Sequence, residues 1–143
     1  MENQFKKFKA FTLIEILITL VIIGILSAIA YPTYIHLQYR AHRSDGQIAL
    51  LNTSGYVEQY YTHYNTYLGV NMNEINAPSL SPKGFYQIAI PEKYLTPTTY
   101  VIIAIPQKTQ QNDEKCGVLA INNLGQKGRE INGEFVQDSQ CWE

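Results

Sequence analysis

From Phe11 to Tyr31 the chain runs FTLIEILITLVIIGILSAIAY, apolar or small throughout except at Glu15, with Thr12, Thr19 and Ser27 as mild polar breaks. As an α-helix rising about 1.5 Å per residue, this run extends roughly 30 Å, the thickness of a bilayer's hydrocarbon core. Lys6, Lys7 and Lys9 precede it. A basic flank stays on the cytoplasmic side, so the chain after the run is expected to face outward. Two simple readings compete: a single-span anchor, or a secretory signal peptide cut after Ala28-Ile29-Ala30. The run is longer than a usual signal core, and Pro32 follows the cut. Neither reading accounts for Glu15. An ionised side chain near a helix centre costs about 2.5–3.5 kcal/mol on insertion scales and normally carries a partner.

Setting roughly 30 residues aside leaves about 110 for one small core. The net charge of −1 excludes a polycation built to coat nucleic acid. Pro32 removes one helical hydrogen bond without ending the helix, and no second Pro follows before Pro78. The pattern predicts one helix from about Phe11 to about Tyr64, roughly 80 Å long. Ala41, Ile48, Leu51 and Gly55 return to one helical face and are expected to lie on a sheet. Gly24, Gly46 and Gly55 each cost about 1 kcal/mol relative to Ala in that helix. His36, His42 and His63 have no i, i+4 pairing and no completing Cys or carboxylate, so solvent-exposed helix histidines are expected, with no metal and no cofactor. Tyr56, Tyr60, Tyr61, Tyr64 and Tyr67 suit a half-buried helix end better than a base-stacking platform.

Gly69–Gly84 is a turn-rich connector. FYQIAI (Phe85–Ile90), TYVIIAI (Thr99–Ile105) and GVLAIN (Gly117–Asn122) have strand character, separated by Pro-containing turns. An α+β fold follows: a long N-terminal helix packed on three or four antiparallel strands. No G-x-S-x-G, P-loop or H-E-x-x-H motif supplies an enzyme's machinery. Cys116 and Cys141 are too far apart for a C-x-x-C redox or zinc pair.

The stretch KAFTLIEILITLVIIGILSAIAYPTY resembles the N-terminus of type IV pilins and the related pseudopilins. The resemblance implies that a prepilin peptidase cuts between Ala10 and Phe11 and that the new Phe11 amine is methylated. Residues 1–10 would be a removed leader, 11–31 a membrane and filament-core helix, and 32–143 the periplasmic, later extracellular, head. Gly usually precedes the cut, so Ala10 departs from the pattern. Gly24 and Pro32 fall where pilins carry a helix-loosening Gly and a kinking Pro, bracketing a stretch expected to loosen in a fibre. Glu15 then has a partner, the positive amine of Phe11 on a neighbouring subunit. A buried pair of that kind fixes register more than it adds stability, and losing one member is costly.

The C-terminal KCGVLAINNLGQKG…SQCW resembles the end of type IVa pilins, especially small minor pilins, and implies a Cys116–Cys141 disulfide formed in an oxidising periplasm. Such a closure stabilises by about 3 kcal/mol in the chain-entropy model. The resemblance thus implies a structural subunit of a type IV pilus, anchored in the inner membrane and then assembled with other pilins. Pilus biogenesis, adhesion, twitching motility or DNA uptake would be its setting. A type II secretion pseudopilin is the alternative, as is a minor pilin displaying a site for DNA or a surface. Lys108, Lys115, Lys127 and Arg129 could form a weak basic strip for DNA. Glu114, Glu130 and Glu134 dilute it, and a solvated face is the better reading.

Overall fold

The computed structural model describes residues 11–142, so the leader and Ala10 lie outside the described residues. The chain divides into two units, one ending at Leu37 and the other running from Gln38 to the end. In the first, helix α1 (Leu13–Tyr64) begins, and it continues through Pro32. Every described side chain up to Leu37 except Ile35 is exposed. The apolar part of α1 is long and apolar enough to cross a membrane.

In the second unit, the later half of α1 packs on a five-stranded antiparallel sheet. The strands are β1 (Tyr86–Ala89), β2 (Val101–Pro106), β3 (Leu119–Asn122), β4 (Lys127–Ile131) and β5 (Glu134–Gln137), side by side in chain order. Alternation decides which residues meet the helix. Tyr86, Ile88, Ile102, Ala104, Leu119 and Ile121 turn inward and join Leu50 and Val57 of α1 in one core. Fully burying one such Leu or Ile contributes about 1.5–3 kcal/mol. The opposite face buries a smaller set, Val101, Ile103 and Ala120, beneath Tyr94 and Phe135.

The sheet thus extends past the three or four strands expected. β4 and β5 lack an apolar strand pattern, because KGREI and EFVQ are polar and half-exposed. Their turn is nevertheless legible: Asn132 and Gly133 both take positive φ (52° and 82°), as a two-residue hairpin of the I′ kind demands.

The expected core stripe of α1 is also corrected. Ala41, Ile48, Leu51 and Gly55 are exposed, and the buried face is Arg43, Gly46, Ala49, Leu50, Thr53 and Val57. Two features help to fix which face is buried. Arg43 and Asp45 have buried partners on the head, and Gly46 admits the ring of Tyr86. A Cβ at Gly46 would stand 2.7 Å from that ring. The helix-weakening Gly46 is therefore a packing requirement.

Candidate functional site

At the N-terminus of α1, Thr12 and Glu15 form a reciprocal cap. Thr12 Oγ1 accepts from the Glu15 N–H at 3.3 Å, and Glu15 Oε2 accepts from the Thr12 N–H at 3.5 Å. T-x-x-E is the capping-box pattern, legible in the sequence though not anticipated. The carboxylate is thereby held over the first turn, where the helix dipole also favours an anion. Phe11 adjoins this turn and is exposed, as are Gly24 and Pro32 farther along α1.

At the other end of the chain the sulfurs of Cys116 and Cys141 are bonded, with Cα atoms 5.6 Å apart and both residues buried. The closed loop contains all of β3, β4 and β5 rather than lying over the last strand alone. Around it the structure gathers three of the four basic residues. Arg129 Nη1 donates to the Lys115 carbonyl at 2.8 Å, and Arg129 Nε approaches Asp138 at 2.7 Å as an ion pair without hydrogen-bond alignment. Lys127 lies 5.5 Å from the centroid of Trp142. Lys108 is placed elsewhere, over Phe85 at 5.8 Å. Lys127 and Arg129 are two apart on β4 and share a face.

The tightest electrostatic feature joins α1 to a residue 70 positions away, which no local pattern marks. Arg43 grips Asp113 with both forks, Nε to Oδ2 at 2.6 Å and Nη2 to Oδ1 at 2.7 Å. Gln110 Nε2 adds bonds to Asp113 Oδ2 at 2.9 Å and to the Tyr86 hydroxyl at 3.0 Å. The hydrogen bond to Asp113 raises the Arg43 pKa despite desolvation, while burial raises that of Tyr86. His42 belongs here too: it stacks on Phe85 at 3.6 Å and shares a hydrogen bond with Gln110, so it is half-buried rather than a free surface histidine. A second carboxylate, Asp45, accepts from the Ser81 hydroxyl and from the Lys83 N–H, anchoring the connector where β1 begins.

The five tyrosines at the end of α1 separate into two groups. Tyr61 stacks on Tyr67, and Tyr67 and Tyr100 both donate to Glu58, at 3.0 and 2.9 Å. Burial first and then Glu58 push the Tyr67 hydroxyl up to about 12. Tyr56, Tyr60 and Tyr64 instead border an open cleft. Among the described residues no cluster of His, Cys, Asp and Glu could hold a metal ion.

An exposed apolar helix ending in a helix-on-sheet head, with a C-terminal disulfide, defines the class of type IV pilins. Residues 5–31 match the prokaryotic N-terminal methylation motif, and residues 32–120 match the family described as type IV minor pilin ComP, DNA uptake sequence receptor. The chain belongs to that minor pilin family. It is 36% identical over 78 residues to a fimbrial protein of Neisseria meningitidis serogroup B, covering 54% of this chain and 46% of that one. Against the type IV major pilin protein PilE of Neisseria gonorrhoeae it is 36% identical over 78 residues, covering 54% and 47%. The chain thus spans about half the length of the curated relatives it matches. The crystal structure of the non-core minor pilin PilV of Neisseria meningitidis shares the fold, with a TM-score of 0.52 and 18% identity over 68% of this chain and 91% of that one.

Proposed function

We propose that this chain is a minor subunit of a type IV pilus: cut between Ala10 and Phe11, methylated on Phe11, held in the inner membrane with its head in the periplasm, then drawn into the fibre through α1. The observation that carries this is the joining, in one chain, of a methylation motif over residues 5–31 to a minor pilin head matched over residues 32–120. Glu15 is the counter-ion of a neighbour's Phe11 amine. The exposed Ala41, Ile48, Leu51 and Gly55, spaced by three, four and seven, form a second polymer-facing surface on the head's part of α1. The pseudopilin alternative shares the N-terminus but draws no support from the head.

The capping box sharpens the test of Glu15. Gln serves a capping box as well as Glu does, but carries no charge. If Glu15 only capped α1, Glu15→Gln would assemble like the wild type. As a counter-ion, both Glu15→Gln and Glu15→Ala should retain membrane insertion and a mature N-terminus at Phe11, checked by mass spectrometry, yet lose most incorporation into fibres. The measurement is the ratio of subunit in sheared fibres to subunit in the membrane. Wild-type incorporation of Glu15→Gln rules out the counter-ion.

The family's description also supports a DNA-uptake role for the head, which this reading puts on basic side chains near the disulfide. Arg129 is committed to Asp138, so Lys115 and Lys127 are the phosphate contacts. Binding of the full chain to duplex DNA should weaken with salt. Replacing both lysines by Gln should flatten the slope of log K against log salt by about two units. An unchanged slope places the DNA elsewhere or nowhere.

A further inference from the structure

The cleft at the C-terminal end of α1 takes no part in any of the roles above. Tyr56, Tyr60 and Tyr64 stand four residues apart, with Gln59 and His63 between them, so all five project from one side of the helix. Glu74 faces them from the connector, and the open cleft measures about 580 Å³. Part of its wall is held by contacts within the fold. The Tyr60 and Tyr64 rings pack 4.4 Å apart, the Tyr60 hydroxyl donates to the Leu68 carbonyl, and Asn71 Oδ1 accepts from the Asn73 and Glu74 N–H groups. Tyr56 and Tyr64 remain 41% and 58% exposed. Among the described residues, the side chains of Gln59, His63 and Glu74 have no hydrogen-bond partner in the fold, nor do the hydroxyls of Tyr56 and Tyr64.

The site therefore presents partly exposed tyrosine rings beside unspent amide, imidazole, phenol and carboxylate groups. Its lining includes neither Lys nor Arg, and its one carboxylate repels phosphate. A strand of nucleic acid would find rings to stack on but no cations for its backbone. A pyranose ring matches both sets of groups, with C–H bonds on one face for the tyrosines and hydroxyls around its rim for the polar side chains. We propose that this cleft binds a neutral oligosaccharide.

The test uses the full chain in lauryldimethylamine oxide micelles, which have no sugar headgroup. Saturation-transfer NMR would be recorded with maltotriose, chitotriose, N-acetyllactosamine and a dT dodecamer. Transfer to the ring C–H protons of at least one saccharide is expected. The affinity should fall about tenfold in Tyr64→Ala, a change of about 1.4 kcal/mol, and should hold in Lys127→Gln. Tyr64 is exposed enough for its removal to leave the fold intact, which circular dichroism verifies. Three results overturn the proposal: no transfer to any saccharide, equal transfer in wild type and Tyr64→Ala, or a Tyr64-dependent signal from the dT dodecamer alone. Because Lys127→Gln separates the two surfaces, failure here leaves the DNA and pilus readings standing.

Discussion

Asp113→Ala should destabilise the head by about 3–5 kcal/mol, a large share of the stability of so small a domain. The loss exceeds that of a surface pair because both partners are sequestered. Their side chains are only 10% and 3% exposed, and the guanidinium makes two aligned bonds. Removing the carboxylate strands the Arg43 charge in a desolvated setting, and Gln110 Nε2 loses one of its acceptors. Replacing the pair together, as Arg43→Met with Asp113→Leu, should restore most of the stability, since an apolar substitute avoids the desolvation penalty. Denaturant unfolding of the full chain in detergent measures both. A single-variant loss within about 1 kcal/mol would show that water still reaches Arg43.

Losing the Cys116–Cys141 bridge should cost about 3 kcal/mol, through the greater freedom of the unfolded chain. The sequence separation of 25 sets the size of the loop released. Cys116→Ser, Cys141→Ser and the double variant should therefore melt together. A reducing agent should bring the wild type down to their level and leave them unmoved. A double variant well below either single one would show that the cysteines contribute packing apart from their bond. Non-reducing peptide mapping should recover Cys116 and Cys141 as one linked pair.

Much of this was legible because it depends on local chemistry. The F-T-L-I-E motif, the helix and the three apolar strands each announce themselves within a few residues. The pairing of the cysteines, 25 positions apart, follows from the resemblance and not from local chemistry. What stayed hidden depends on contacts far apart in sequence. Arg43 and Asp113 are 70 positions apart, and either could pass for a surface charge. Their union, with the seating of Tyr86 on Gly46, leaves the stripe of Ala41, Ile48, Leu51 and Gly55 outward and buries Ala49, Leu50 and Val57 instead. β4 and β5 are held by backbone pairing and by Phe135, so their composition hid them, although Asn132-Gly133 marked the hairpin. Glu15 stands out from its apolar surroundings, and its bond to Thr12 is written in the T-x-x-E spacing.

In the proposed fibre the subunit would bear tension, and the disulfide lies between two links to α1. Cys116 N–H is bonded to the carbonyl of Asp113, whose carboxylate holds Arg43 on α1, and Gln47 of the same helix donates to the Cys141 carbonyl. A pull on the C-terminus reaches α1 directly through Gln47, and through the sulfur bond and the Arg43–Asp113 pair. It need not unzip β5, β4 and β3 one after another. Trp142, which donates to the Gly128 carbonyl, and Asp138, paired with Arg129, carry part of the same load into β4, so helix and sheet share it.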